Sequence, residues 1–540
     1  MVYFMLETRC FAVAAALAVG FATGARAQSC ESDFNATDFS KKEVATNLTS
    51  PVKMKIAADS SIFFIQRTGV VQLLAPGSST PKQILKLNVP GGSQNEDGLI
   101  GIALDPQFAS NKWIYLYYTP TGPMGYRVSR FTFTGTEVDP ASEKVLLTIP
   151  HAFSAYGALI IHGAGAMAFD LSGNLLVATG DLCITNGGFP VPVNENTNNF
   201  DAQRSSANSN NLLGKILRIH PEDNGTYTVP ARNLFEKGMA GTMPEIYAMG
   251  VRNPYTMTVD PQTGWIYSGE VGPDGVDGPI KSQDEINQIK EAGNFGWPYL
   301  TGDNQAYSDM KGTKYSADNL VNNSKNNTGI KNLPAPVKSF FWTSNVSSWP
   351  ITGITPKAGR RCIKVGGFYR WNAQGTNAKR LPLAFDNGFF MANHDDGETM
   401  RFFKLNATGN LVSVKTFMTN LARPMSFEVG PDGALYVMEW GGDNGHWFNA
   451  NNGKISRIEY TGNCNAVGIR HDFSKEALYS QGITTVLPGS RIVFPKGAAR
   501  VDLYDLKGAK RWSAPAAGSI YALVPADFEA GLMYVKFSAI

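Results

Sequence analysis

One short unit recurs six times along this chain, and that repetition limits the fold more than any single motif does. Each copy is an apolar alternating run, an Asp-centred turn and an aromatic-rich return. Met54 to Ala58 turns at Asp59 into Ile62 to Ile65, Leu99 to Leu104 turns at Asp105-Pro106 into Trp113 to Tyr117, and Ala166 to Phe169 turns at Asp170 and Gly173 into Leu175 to Ala178. Tyr255 to Val259 turns at Asp260 into Trp265 to Gly269, and Leu383 to Phe385 turns at Asp386-Asn387-Gly388 into Phe389 to Met391. The last copy turns at Pro431-Asp432-Gly433 into Leu435 to Met438. Period-two alternation marks strands, and Gly, Pro and Asp between them mark tight turns. One such unit cannot bury both faces of its own small sheet, so six of them predict an all-β chain stacked radially as a six-bladed β-propeller. A β-sandwich also alternates strands and turns, but it does not call for one unit six times in register.

The spacing between Asp turns is widest after the fourth copy, where residues 290 to 360 are rich in Asn and Ser. Long loops in a compact domain are commonly functional, and these are expected to wall a pocket on one propeller face. After Cys464 the texture changes. Residues 470–540 read as a small C-terminal β-sandwich module, with alternating strands at Val501 to Leu506 and Gly531 to Phe537. It loosely resembles sorting or attachment modules of exported proteins.

At the other end, Phe11 to Phe21 is apolar and Ala25-Arg26-Ala27 fits a cleavage site, so residues 1–27 read as a signal peptide and 28–465 as the propeller. No further apolar stretch is long enough for a transmembrane segment. The expectation is export, to a periplasmic, secreted or cell-surface location. Cleavage leaves Cys30, Cys183, Cys362 and Cys464; pairings Cys30–Cys464 and Cys183–Cys362 are compatible with an oxidising compartment. A formal net charge of +3 on 540 residues, with no long basic run, argues against a nucleic-acid partner.

Few residues can carry chemistry. Of six histidines, His162 stands in Ile161-His162-Gly163-Ala164-Gly165, at the head of a strand with room around its ring. Arg252-Asn253 precede Pro254, and the paired strand runs into Gly272-Pro273-Asp274-Gly275, a sharply bent backbone able to present carbonyls to Ca²⁺. Gln94, Asp181, His394, His446 and Arg423 occupy similar places in other copies, which makes a polar-lined channel mouth. There is no G-x-S-x-G, no P-loop and no H-E-x-x-H.

An ordered set of segments then resembles the soluble quinoprotein glucose dehydrogenase family, in its broader glucose/sorbosone and aldose-sugar branch. The segments are G-L-I-G-I-A-L-D-P-Q-F (Gly98 to Phe108), H-G-A-G-A-M-A-F (His162 to Phe169), N-L-L-G-K-I-L-R-I (Asn211 to Ile219), R-N-P (Arg252 to Pro254), E-V-G-P-D (Glu270 to Asp274), D-E-I-N (Asp284 to Asn287), G-N-F-G-W-P (Gly293 to Pro298) and G-P-D-G-A-L-Y-V (Gly430 to Val437). The resemblance implies pyrroloquinoline quinone (PQQ) and Ca²⁺ as cofactors, a sugar substrate, and an external electron acceptor such as a dye, quinone or cytochrome. It makes His162 the general base and Arg252 the cation beside the quinone, both catalytic. Asn253 and Arg423 become cofactor-binding positions, Gln94 and Asp181 substrate-side positions, and Gly272 and Pro273 the carbonyl ligands of calcium; Arg401 is a further cofactor-binding candidate, as a cation that compensates for missing ones. Two positions depart from the family's pattern. Asp395-Asp396 stand where the glucose-oxidising branch has a lysine, and Met425 stands where it has a second arginine. Two other readings stay open at this point: a calcium-dependent, lactonase-like propeller hydrolase, and a non-catalytic propeller that binds glycans or proteins.

Overall fold

The computed structural model describes residues 34–90, 96–122, 124–151, 161–183, 192–196, 201–273, 283–309, 311–344, 362–372, 377, 379–393, 399–441 and 451–462, and shorter segments between 482 and 538. The chain divides after Asn465 into two compact units. The first is a six-bladed propeller of antiparallel sheets, with one short parallel pair, Ile246–Met249 and Gly293–Asn294, at the edge of the third blade. Its blades begin with the strands Pro51–Ile56, Leu99–Leu104, Ala164–Phe169, Pro254–Val259, Ile363–Tyr369 and Pro424–Val429. Each of these six strands packs against the next, and the last packs against the first. They advance side by side: Thr256 Oγ1 accepts from Val365 N (2.7 Å) and Thr258 Oγ1 from Phe368 N (3.2 Å). The beginnings of all six therefore face one end of a central channel. The ring is closed by the chain's first strand, Phe39–Leu48, which pairs with Gly453–Tyr460 as the outermost strand of the sixth blade.

The hydrophobic core lies between blades rather than within them. Phe63 and Val52 of the first blade pack with Ile114 and Leu116 of the second, Tyr267 and Phe341 of the fourth with Phe389 and Phe403 of the fifth, and Met54 and Ile62 with Met438 and Ile455 across the closure. This is the physical basis of the repeat, since each blade's apolar faces are covered only by its neighbours. The Asp of the turn closes its own hairpin. Asp59, Asp105, Asp170, Asp260 and Asp432 each accept a backbone N–H two residues on, at 2.9 to 3.1 Å.

The fifth copy differs from the sequence expectation. Leu383–Phe385 is a short 3-10 helix, and the strand paired with Gly388–Asn393 is Ile363–Tyr369, which comes earlier in the chain. There the Asp386 carboxylate accepts Trp371 N (2.9 Å) at the far end of the longer connection. The second unit, Ala466–Ile540, contains one sheet of Gly482–Val486, Gly531–Ser538, Arg500–Tyr504 and Lys510–Pro515, and a two-stranded sheet of Arg491–Val493 with Tyr521–Leu523. Among the described residues, no helix is long and apolar enough to cross a membrane.

Candidate active site

The channel is narrow, with about 30 Å³ of room among side chains such as Met54, Ile102, Ala166, Met257, Val365 and Phe427, one from each blade. At the strand-start end the apolar lining gives way to charge. His162 lies just before the third blade's inner strand, in a left-handed bend with φ of +56° at His162, +55° at Ala164 and +92° at Gly165. Gly180 has to be glycine here, because a Cβ would sit 1.6 Å from the His162 carbonyl oxygen. The bend turns the imidazole onto Asp181, whose Oδ1 lies 3.0 Å from His162 Nδ1. Asp181 Oδ1 also accepts Cys183 N (2.9 Å) and its Oδ2 accepts Trp297 Nε1 (2.8 Å). A carboxylate only accepts, so Nδ1 carries the proton and Nε2 keeps its lone pair. Glu96 Oε2 holds the backbone N of His162 at 2.7 Å.

The same network reaches the fourth blade. Asp181 N donates to Arg252 O (2.8 Å), and Ala164 N donates to Asn253 Oδ1 (3.0 Å). Arg252 is fully buried. Its Nη1 donates to Val271 O (2.9 Å), its backbone N donates to Glu270, and its guanidinium lies 5.6 Å from the centre of the Trp297 ring. Its Nε has no hydrogen-bond partner among the described residues. Beneath it, Glu270 and Glu285 face each other across adjacent strands. Burial first, and Glu285 second, push the Glu270 carboxyl well above the usual carboxylate range. Burial also pushes Glu285 up to about 7, against the Gly302 N and Thr301 hydroxyl that donate to it.

Gly272 follows at once. A Cβ there would meet Gln283 O at 1.8 Å, so only glycine passes. Its N–H donates to Asp284 Oδ1 (2.9 Å), while Asp284 Oδ2 accepts Cys362 N (2.7 Å) and Ile363 N (3.0 Å). Asp284 thus ties the fourth blade to the fifth and fixes the bend that carries Gly272 and Pro273. Among the described residues, no three His, Cys, Asp or Glu side chains gather as a metal site.

Several expectations change here. Asp181, expected on the substrate side, is fully buried behind His162 with both oxygens engaged. Cys183 is a buried free thiol, its Sγ 3.3 Å from Asp181 O, so the Cys183–Cys362 bond is not formed. Arg423 stands at the start of the sixth inner strand with φ of +56°, and its carbonyl accepts Trp440 N (2.9 Å). Arg401 is buried on the third strand of the fifth blade, opposite Met391. Met425 packs with Trp440 and Val52 in the core between blades. Gln94, His394, Asp395, Asp396, His446, Cys30 and Cys464 lie outside the described residues.

Sequence reasoning missed Trp297, which locks Asp181 from a segment added to the third blade's edge. It also missed Lys53 and Lys364, which lie near the starts of the first and fifth inner strands with their Nζ atoms 3.7 and 5.6 Å from the centre of the Tyr255 ring. Their visible signal was lysine set among apolar residues of an inner strand, with Lys53 and Lys55 in Pro51–Ile56 and Lys364 in Ile363–Tyr369.

Residues 48–345 match the family described as Glucose / Sorbosone dehydrogenase. The chain belongs to that family. Among relatives of this glucose/sorbosone dehydrogenase family member is quinoprotein glucose dehydrogenase B of Acinetobacter calcoaceticus, 24% identical over 303 residues, or 52% of this chain and 55% of that protein. The chain thus spans about half the length of that relative. In structure it is similar to the apo form of the soluble aldose sugar dehydrogenase of Escherichia coli (TM-score 0.52, 19% identity, 78% of this chain and 99% of that one). It is also similar to the PQQ-bound aldose sugar dehydrogenase of Streptomyces coelicolor (TM-score 0.50, 20% identity, 78% and 98%). At such identities the likeness concerns the fold, and the site's chemistry rests on its own residues.

Proposed function

We propose that the protein is a PQQ- and calcium-dependent sugar dehydrogenase that oxidises the anomeric C1–OH of an aldose. The observation that carries this reading is the buried His162–Asp181–Trp297 chain beside Arg252, a base held in one tautomer next to a fixed cation. The donor set suits an anionic, oxygen-rich cofactor: Arg252 Nε and Lys53 Nζ are buried donors with no hydrogen-bond partner among the described residues. Arg252, Asn253, Arg423 and Arg401 would hold PQQ, and the Gly272 and Pro273 carbonyls would hold calcium, hard-cation chemistry that needs no side-chain cluster. When bound, PQQ would supply a quinone carbonyl as the hydride acceptor and Ca²⁺ a Lewis acid beside it.

The chain's own residues do the rest. His162 Nε2 takes the proton of the anomeric hydroxyl as C1=O forms, and Asp181 stabilises the resulting imidazolium through Nδ1–H. Arg252, pinned by Val271 O, places a cation where negative charge grows. The Trp297 indole closes one side of the guanidinium. The electrons leave to an external acceptor. An exported location after cleavage near Ala27 is part of the same proposal.

Reconstitution of purified protein with PQQ and Ca²⁺, followed by sugar-dependent dye reduction, tests this reading. Wild type is expected to turn over, and His162→Ala to lose about 10²–10⁴-fold in kcat. Calcium-dependent lactone hydrolysis without PQQ, or no PQQ uptake at micromolar cofactor, would overturn it.

A further inference from the structure

Lys53 enters the chemistry above only as a donor without a hydrogen-bond partner among the described residues and Lys364 not at all, and the setting of Lys53 is costly. Both are buried, and both approach the same Tyr255 ring, which follows directly on Arg252-Asn253-Pro254. Lys53 lines the channel. Its Nζ has no hydrogen-bond partner among the described residues. Burial first, and the Lys364 charge second, push the Lys53 ammonium well below the usual lysine range. Lys55 adds to this from the same strand, and only Glu96 acts against it. Glu96 is already engaged by His162 N, and Lys55 by Glu428 (2.5 Å).

A buried lysine in this protein need not look like this. Lys215, equally buried, gives its Nζ to three carbonyls: Ser205 O at 2.7 Å, Ser206 O at 3.1 Å and Leu213 O at 2.7 Å. That is how a structural buried ammonium is satisfied. Lys53 has a ring face in place of carbonyls, and a second ammonium faces the same ring. A buried ammonium without a hydrogen-bond partner, with a second cation acting on it, is stabilised by an anion laid against it.

We propose that Lys53 and Lys364 form a carboxylate-binding subsite in the channel mouth, and that it takes a carboxylate of bound PQQ. The proposal rests on the reading of the protein as a PQQ-dependent dehydrogenase. PQQ carries three carboxylates, and each favours a charge-assisted partner. In this chain the cations come from the first and fifth inner strands, whereas the family's pattern places a lysine at Asp395-Asp396 and an arginine at Met425. A sugar acid offers the same chemistry from the substrate side, so the test separates the two sources.

Apoprotein, Lys53→Met and Lys364→Met are titrated with PQQ, followed by tryptophan fluorescence, and separately with D-glucuronate and D-glucose; melting of each apoprotein is recorded. Each variant is expected to bind PQQ about tenfold more weakly or worse, with glucuronate no better than glucose. Lys53→Met apoprotein is expected to melt higher than wild type, because a buried amine with no hydrogen-bond partner among the described residues has been removed. Lysine-dependent binding of glucuronate with unchanged PQQ affinity would keep the subsite but overturn its assignment to the cofactor. Wild-type binding of PQQ that both variants retain in full would overturn the subsite and leave the proposed function standing. Wild type that binds no PQQ would sink the proposed function, and the glucuronate titration alone would then decide the subsite. A lower melting temperature for Lys53→Met would show the ammonium paired within the chain and overturn the proposal.

Discussion

Asp181→Asn is the sharpest test of how the base is built, because the exchange keeps volume and changes only where hydrogens sit. In wild type, Asp181 Oδ1 faces two donors, His162 Nδ1 and Cys183 N, while Oδ2 faces Trp297 Nε1. An asparagine has one oxygen and one NH₂ for these three. With its oxygen towards Trp297, the NH₂ meets the Cys183 N–H and forces Nδ1 to accept, which moves the imidazole proton to Nε2 and removes the base. With its oxygen towards His162 and Cys183, the tautomer survives but the NH₂ meets the Trp297 N–H. Either arrangement strands one buried donor, at about 1–3 kcal/mol of stability. The first also removes general-base catalysis, about 10²–10⁴-fold in kcat, or roughly 3–5 kcal/mol in the barrier. The expectation is a variant that melts several degrees lower, loads PQQ, keeps KM within a few-fold and loses at least a hundredfold in kcat. Steady-state dye reduction at fixed cofactor occupancy, with calorimetry alongside, measures all of this. A variant with wild-type kcat and full loading would refute the role of Asp181 as the group that sets the His162 tautomer. A large loss confined to KM would refute it too, and would return Asp181 to the substrate side.

Two further outcomes follow from groups around this centre. Asp97 is buried next to Glu96, and burial pushes its carboxyl up to about 6 against the Arg67 charge that lowers it. The folded state therefore binds this proton more tightly than the unfolded chain, so stability falls as pH rises from about 4 through about 6. Asp97→Asn is expected to flatten that slope by on the order of 1–2 kcal/mol after solvent screening, read from urea midpoints at pH 4.5 and 7.5; an unchanged slope would show Asp97 ionised at no cost. Gly272→Ala puts a Cβ 1.8 Å from Gln283 O, an overpacking of about 1–3 kcal/mol. Its melting temperature is expected to be lower than wild type and to gain nothing from added Ca²⁺. A calcium-induced rise equal to that of wild type would remove Gly272 from the metal site.

The propeller was legible because its rule is local. An Asp that accepts the N–H two residues on closes a hairpin by itself, and five of the six copies do so. The fifth was misread for a physical reason. Leu383–Phe385 is apolar because it packs beneath the connection, while the true inner strand, Ile363–Tyr369, precedes that connection. The residues proposed for the site stand out one by one in the sequence: His162 beside small residues, Arg252 before Asn-Pro, Gly272 before proline. Their pairings do not, since the His162–Asp181 and Asp181–Trp297 bonds join segments distant in sequence. Lys53 and Lys364 meet only at the Tyr255 ring. Alternation marks both as inner-strand residues, and nothing local says that one faces a second lysine and lacks a carbonyl.

The architecture explains why single-position comparison reads this site poorly. All six inner strands begin at one end of the channel, so each blade sets its first residues around a common axis. A ligand there meets the summed charge of the ring, largely regardless of which blade supplies it. The proposed base and its neighbouring cation are different. His162, Asp181, Trp297, Arg252 and Glu270 are bonded to one another across the third and fourth blades, and none can move to another blade without breaking buried hydrogen bonds. Cations that only neutralise carboxylates carry no such restriction. With Met425 given over to the core, lysines from the first and fifth blades can serve in its place, provided they stay dry enough to hold an anion and close enough to share it. Lys53 and Lys364 are both buried, with their Nζ atoms 3.7 and 5.6 Å from the centre of one ring.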